Sequence, residues 1–100
     1  MNQPDEVVPV VLRLYVAGQL PNSVEAVANV KLLCEGLPAG LARVEVIDVL
    51  REPERALTDG IMVTPTLVRA VPQPPVKMIG TLSDLPRVYA ALGLKPELRS

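Results

Sequence analysis

Gly60-Ile61-Met62-Val63-Thr64-Pro65-Thr66-Leu67 is the stretch on which the fold turns. The residues before it read as a short helix over 53–59, with Pro53 in the first turn and Gly60 just past the end, where a left-handed backbone is wanted. After Pro65 the chain reads as a strand that opens Thr66-Leu67-Val68-Arg69. Pro65 has no N–H to give a ladder, and it pushes Thr64 out of the helical region. A proline placed here is either a trans residue at a sheet edge or a cis turn. The cis form is costly enough to be a specific feature, and it is the form we expect.

Upstream, Val10-Val11-Leu12-Arg13-Leu14-Tyr15-Val16 is a near-continuous apolar run, the pattern of a strand covered on both faces. Val10, Leu12, Leu14 and Val16 share one face; Val11, Arg13 and Tyr15 share the other. A turn, Ala17-Gly18-Gln19-Leu20-Pro21, leads to a helix capped by Asn22 with Glu25 three residues on. Ala26, Val27, Val30, Leu33, Cys34 and Leu37 recur at three- and four-residue steps and give that helix a core stripe, ended by Gly36, Pro38 and Gly40. A second strand is expected over 42–49. Downstream of Pro65 come a third strand to Val71, the connection Pro72-Gln73-Pro74-Pro75, and a fourth strand over 76–79. Ser83 is expected to cap a last helix, with Asp84 in its first turn, the stripe Leu85, Val88, Tyr89 and Leu92, and Gly93 as the stop.

The element order is β-α-β-α-β-β-α. The first two strands, joined by a helix, form a parallel unit; the last two, joined by a short loop, form a hairpin. This order resembles the thioredoxin-like fold, a mixed four-stranded sheet with three helices, and the 60–67 stretch resembles its cis-proline corner, Thr64, Pro65 and Thr66. At 100 residues the chain is read as one domain, 1–100, with 1–8 and 95–100 expected as flexible tails.

Composition narrows the function. Ten basic and eleven acidic residues, interspersed, leave no basic stripe, and two tyrosines with no Phe or Trp leave few stacking platforms. Nucleic-acid binding is therefore not expected. The apolar runs are too short to span a bilayer, and the polar, acidic start is unlike a signal peptide. A single cysteine, Cys34, excludes a disulfide within the chain and fits the reducing cytoplasm. The hydrophobic share, 49%, is high for so small a domain and points to apolar surface that ends at a partner or a sister subunit.

The same residues restrict chemistry. With no histidine, the commonest metal ligand and general base is absent. Thioredoxin-type exchange needs a cysteine at the start of the first helix, where the dipole stabilises a thiolate. That place holds Gly18-Gln19-Leu20-Pro21-Asn22, and Cys34 lies in the apolar stripe, read as a small buried hydrophobe. Ser23 and Ser83 have no base beside them and are read as helix caps. Asp48 is a weak candidate at a strand's carboxyl end, with a hydrogen-bonded turn as the plainer reading. Glu52, Glu54 and Asp59 are read as a solvated face rather than a metal site. No catalytic residue, cofactor or metal is expected. What remains is surface, Tyr15 and the prolines at 72, 74 and 75 included, and that points to protein recognition.

Leu12-Arg13-Leu14-Tyr15-Val16-Ala17-Gly18 followed by Pro21-Asn22-Ser23 resembles the opening of the circadian clock KaiB family. Val46-Ile47-Asp48-Val49-Leu50 with Pro53, then Thr64-Pro65-Thr66-Leu67, Pro74-Pro75-Val76, and Ile79-Gly80 with Leu82-Ser83 continue the match in order. The resemblance implies a non-enzymatic regulator that binds a KaiC-type ATPase and modulates a circadian or stress-related phosphorylation cycle, with KaiA or a sensor histidine kinase as further partners. It implies partner contacts at Tyr15, Ala17, Gly18, Pro21, Asn22 and Ser23. It also implies a homo-oligomer, dimer or tetramer, in the free state, and a second, rearranged ground-state fold in which the 51–94 half pairs differently. Pro74, Pro75, Gly80, Thr81, Leu82 and Ser83 fall in that switching region. Thr81 departs from the family, whose members commonly carry an acid there. Two other readings stay open: a thioredoxin-like redox or glutathione-linked protein, and a structural oligomer that does not switch.

Overall fold

The computed structural model describes residues 9–97; the expected tail 1–8 and residues 98–100 of the expected tail 95–100 lie outside the described residues, and within that tail the Glu97 N–H donates to Gly36 O at 2.6 Å. Seven elements follow in the expected order: β1 (Val10–Val16), α1 (Pro21–Glu35), β2 (Ala42–Asp48), α2 (Pro53–Thr58), β3 (Thr66–Val71), β4 (Val76–Ile79) and α3 (Leu85–Leu92). They build a mixed four-stranded sheet in the order β2-β1-β3-β4 with three helices, the thioredoxin-like arrangement. β1 and β2 run parallel, Leu14 beside Val46, and β3 runs antiparallel to both β1 and β4.

The alternation in β1 divides the core. Val10, Leu12, Leu14 and Val16 pack with Leu67 against Ala26, Val30 and Leu33 of α1 and Val88, Tyr89 and Leu92 of α3. Tyr15 faces the other way and meets Ile47, Val68 and Ala56 of α2. Leu12, Leu14, Leu67 and Leu92 have no exposed surface, so each contributes about 2 kcal/mol of burial.

Two helix starts differ from expectation, and one helix end is as expected. α1 begins at Pro21, one residue before the expected Asn22 cap; Leu20 is the N-cap and gives no side-chain bond. Pro21 has no N–H to satisfy and its fixed φ already suits a first helical residue, so the proline sets the start. Ser23 is thus inside the helix and is not its cap. α3 is capped by Asp84, not Ser83: the Asp84 carboxylate accepts from the Arg87 N–H at 3.3 Å. A carboxylate suits the positive helix end better than a hydroxyl. α2 ends as a left-handed glycine cap requires. Gly60 has φ +66°, its N–H donates to Leu57 O, and Ile61 N–H donates to Ala56 O at 2.8 Å, with Ile61 and Ala56 in contact. That cap turns the chain toward Pro65, and the Thr64-Pro65 bond is cis, as expected. Val71-Pro72 and Gln73-Pro74 are also cis.

Candidate functional site

The carboxyl ends of β1 and β2, the start of α1 and the cis-proline corner meet at one end of the sheet. Two side chains fix the turn between β1 and α1. Asp48, the last residue of β2, accepts from Gly18 N–H at 3.2 Å and from Leu50 N–H at 3.0 Å through one carboxylate oxygen. Ser23, 2% exposed, accepts from Ala17 N–H at 3.0 Å. Gly18 has φ +56°, which a side chain disfavours, and a Cβ there would lie 3.5 Å from Leu50 Cδ1. Asp48 is thus the hydrogen-bonded turn residue, and the Gly18 amide is occupied by it rather than open to an anion.

Against this turn lies the corner. Thr64 joins Leu20, Pro21, Asn22 and Ser23 around a hollow of about 280 Å³. Thr66 Oγ donates to Val63 O at 2.7 Å, and Gly80 N–H donates to Pro65 O at 3.0 Å, so both sides of the corner are held. Leu20 on this hollow is 60% exposed; Leu50, 72% exposed, lies against Gly18 of the same turn, and Met62, 91% exposed, and Val63, about half exposed, line a neighbouring hollow that shares Thr64.

The sequence-expected residues divide between surface and interior. Pro21 and Asn22 are exposed and Ala17, Gly18 and Thr64 are half-buried, so all five border this end. Tyr15 does not: expected on the surface, it is 1% exposed, because β1 turns it into the α2 side of the sheet. Its hydroxyl donates to Asp59 Oδ2 at 2.5 Å, which also receives Arg13 Nη1 at 3.2 Å. Burial, then the hydrogen bond to Asp59, pushes the Tyr15 hydroxyl up to about 12. Ser23 is likewise interior, so its contribution is to hold the Ala17 amide. Asp59, read as part of a solvated face, is instead the acceptor of this cluster. Beside it, Arg55 forks onto Glu45 at 2.5 and 2.8 Å; this bond holds the Glu45 carboxyl below its ordinary range and raises the Arg55 guanidinium.

The expected switching residues are spread along the second half. Gly80 touches the corner; Thr81 O accepts from Asn29 of α1 at 2.8 Å; Leu82 is buried with φ +65°, a left-handed backbone that a branched side chain disfavours. Ser83 is exposed. Pro74 and Pro75 lie at the far end of the hairpin. There Arg69, unremarked in the sequence, donates to Leu92 O at 2.6 Å and Pro74 O at 3.0 Å and ties the hairpin loop to the end of α3. Nothing in the spacing of Arg69 signals this; only the register that sets it beside α3 does.

The thiol chemistry of this end is limited by position. Cys34 lies near the last turn of α1, half-buried, and burial raises its thiol. Among the described residues, no group of three or more His, Cys, Asp and Glu side chains is placed to hold a metal. No helix among them is long and apolar enough to cross a membrane.

The solved structures that this chain is similar to carry the same fold. The N-terminal domain of Synechococcus elongatus SasA matches with a TM-score of 0.70 and 23% identity, covering 99% of this chain and 97% of that one. A mutant thioredoxin from Halobacterium salinarum matches with a TM-score of 0.72 and 25% identity, over 100% of this chain and 90% of that one. Curated relatives are closer in sequence. Circadian clock protein KaiB3 of a Synechocystis species is 41% identical over 88% of this chain and 86% of its own. Circadian clock oscillator protein KaiB of a Nostoc species is 48% identical over 84% and 78%. The KaiB domain model matches residues 13–94, the span from the second half of β1 to just past α3, and the chain belongs to the KaiB family.

Proposed function

We propose that this chain is a non-enzymatic regulator that binds a KaiC-type ATPase and alters its phosphorylation cycle, in circadian or stress-related timing, in the cytoplasm. The observation that carries the reading is the character of the α1 start. Where a thiol-exchange protein of this fold needs a cysteine, this chain presents Leu20, Pro21 and Asn22, with exposed Leu50 against Gly18 of the same turn and exposed Met62 and Val63 in the hollow that shares Thr64. Open apolar groups gathered on one end of a small domain mark a contact surface rather than a reaction centre. KaiA and a sensor histidine kinase are the further partners of the same proposal.

The test mixes the purified chain with the KaiC-type ATPase of its own organism under ATP turnover. Co-migration and a changed phosphorylation time course are expected, and Leu20→Asp with Met62→Asp is expected to abolish both. No co-migration at any concentration at which relatives bind would overturn the proposal. A redox reading draws on cis-Pro65 beside the α1 start. It predicts insulin reduction; we expect none, since the thiol of Cys34 lies far along α1 from that corner.

A further inference from the structure

Asp59 is the only Asp or Asn of the chain that is followed by glycine. Glycine brings no side chain to crowd the approach of its own backbone nitrogen to the carboxyl before it, so this pair is the one most open to ring closure. Asp59 is the C-cap of α2, and Gly60 follows with φ +66°. In the fold both reacting groups are held. Asp59 Oδ2 receives the Tyr15 hydroxyl at 2.5 Å and Arg13 Nη1 at 3.2 Å, and the Asp59 side chain is 20% exposed. The Gly60 N–H donates to Leu57 O at 3.1 Å. Arg13 and Tyr15 stand on β1, an inner strand of the sheet, so they do not follow the carboxyl when the end of α2 moves. α2 itself has six residues and buries Ala56 alone. Apart from its cap and the Arg55–Glu45 fork, the two donors on Asp59 are what keep its end on the sheet.

We propose that the Asp59–Gly60 bond is a site of isoaspartate formation and that the Tyr15–Arg13 pair governs its rate. In the first step the Gly60 nitrogen attacks Asp59 Cγ of the protonated carboxyl. The N–Cγ bond forms and a Cγ–O bond breaks. One water leaves, made of that oxygen, the carboxyl proton and the proton of the Gly60 N–H. Water then adds back to the cyclic imide. Opening at Cγ returns aspartate. Opening at the main-chain carbonyl leaves the chain running through Cγ, with the former main-chain carbonyl as a free carboxylate. The sum is an isomerisation that consumes no other reactant. Ring closure draws Cγ onto the Gly60 nitrogen, which pulls Oδ2 off both donors and the Gly60 N–H off Leu57 O. The reactive state is therefore a local opening of the α2 end, and the two donors set how often it is reached. The product carries one more backbone atom at the point where the cap turns toward cis-Pro65. Gly60 and Ile61 then lose their places on Leu57 O and Ala56 O, and the segment bearing Met62 is freed.

Ageing of the full chain at neutral pH tests this. The product is read as a peptide spanning 59–60 that shifts in retention without a change of mass, which separates it from deamidation at asparagine. Its isoaspartyl group is identified by methyl transfer from S-adenosylmethionine with an isoaspartyl methyltransferase. In guanidinium chloride, wild type is expected to isomerise at Asp59 before any other aspartate, and at least about tenfold faster than when folded. Tyr15→Phe takes one donor from Asp59 and is expected to raise the folded-state rate roughly tenfold, the weight of one hydrogen bond to a carboxylate. Arg13→Gln removes the other donor and is expected to act in the same direction. Val88→Ala is the control: it weakens the core on the α1 side of the sheet without touching Asp59, and is expected to leave the rate as in wild type. Isomerisation at another aspartate first, a folded rate equal to the unfolded one, or a Tyr15→Phe rate no faster than wild type overturns the proposal. Equal acceleration by Val88→Ala overturns it too, since the bond would then react through global unfolding. Hydrogen exchange of the purified product needs no variant. The Ile61 amide, bonded to Ala56 O at 2.8 Å in the parent fold, is expected to exchange faster in the product, and unchanged exchange would contradict the release of the cap.

Discussion

Gly36 and Tyr89 allow the docking of α3 on α1 to be measured as a single coupling. Tyr89, 8% exposed, donates its hydroxyl to Leu33 O at 2.6 Å, across the interface between the two helices. Gly36 follows α1 with φ −84°, a backbone that any residue adopts, so an alanine there carries no conformational penalty. Its difficulty is steric: a Cβ at Gly36 would collide with the Tyr89 hydroxyl, while the ring carbon bearing that hydroxyl lies at 3.4 Å, ordinary contact. Gly36→Ala in the wild-type background should therefore cost about 1–3 kcal/mol, the range for overpacking. Tyr89→Phe should cost about 1 kcal/mol, because the Leu33 carbonyl loses one donor but keeps the Gly36 N–H. Once the hydroxyl is gone the alanine fits, and its restriction of the unfolded chain makes Gly36→Ala neutral or stabilising by about 0.5 kcal/mol. The double variant should then show a coupling of about 2 kcal/mol. Urea unfolding followed by circular dichroism resolves this, since at about 1–1.5 kcal/mol per molar urea the midpoints separate by 1–2 M. Additive costs within 0.5 kcal/mol, the usual scatter for independent sites, would refute the steric reasoning.

Tyr15 carries a pH dependence whose sign is fixed by its environment. Its hydroxyl is raised from 10.0 to about 12 in the fold, so its contribution to stability is complete below pH 10 and is lost as pH rises through 12. Stability measured between pH 9 and 12 should fall in wild type and fall less steeply in Tyr15→Phe; parallel curves would contradict the assignment. Arg69→Lys should cost about 1–2 kcal/mol, since an ammonium on a shorter reach cannot serve both Leu92 O and Pro74 O. Faster exchange confined to 72–75 and the end of α3 would mark the lost clasp, and an unchanged pattern would show that the guanidinium holds neither. Cys34 should react with an aromatic disulfide more slowly in the folded chain than in urea, because burial raises its thiol; equal rates would place it on the surface.

The reach of the sequence can be seen in where it stopped. The period-two alternation of β1 assigned Val10, Leu12, Leu14 and Val16 to one face and Tyr15 to the other, and both faces are as read. The stripe of α3 and the Gly60–Pro65 corner were equally legible, because each is set by residues within two turns of one another. The helix starts were less so: Asn22 and Ser83 are good caps in isolation, but Pro21 starts α1 one residue earlier, behind Leu20, and Asp84 takes the cap of α3 from its neighbour. The polar cluster was invisible. Tyr15 and Asp59 are 44 positions apart, and a tyrosine on a half-charged strand face reads as surface until a carboxylate from the end of α2 is brought onto its hydroxyl. For the same reason Ser23 looked like a contact residue, when its hydroxyl is turned inward to the Ala17 amide. The candidate surface was legible as a place, the α1 start beside cis-Pro65, but its open members Leu50, Met62 and Val63 come from loops whose approach to that place depends on the whole sheet.

The central claim is that the apolar end formed by the α1 start and the cis-proline corner takes a KaiC-type ATPase. Its most direct test is biolayer interferometry of the immobilised ATPase, with ATP present, against wild type and against Met62→Asp. Met62 is 91% exposed, so its replacement leaves folding intact and acts on the surface alone. The account predicts saturable binding of wild type and at least a tenfold weaker response from Met62→Asp, the loss of about 1.4 kcal/mol of contact. Equal binding by the two proteins would move the contact to another face, and no binding by wild type would contradict the account.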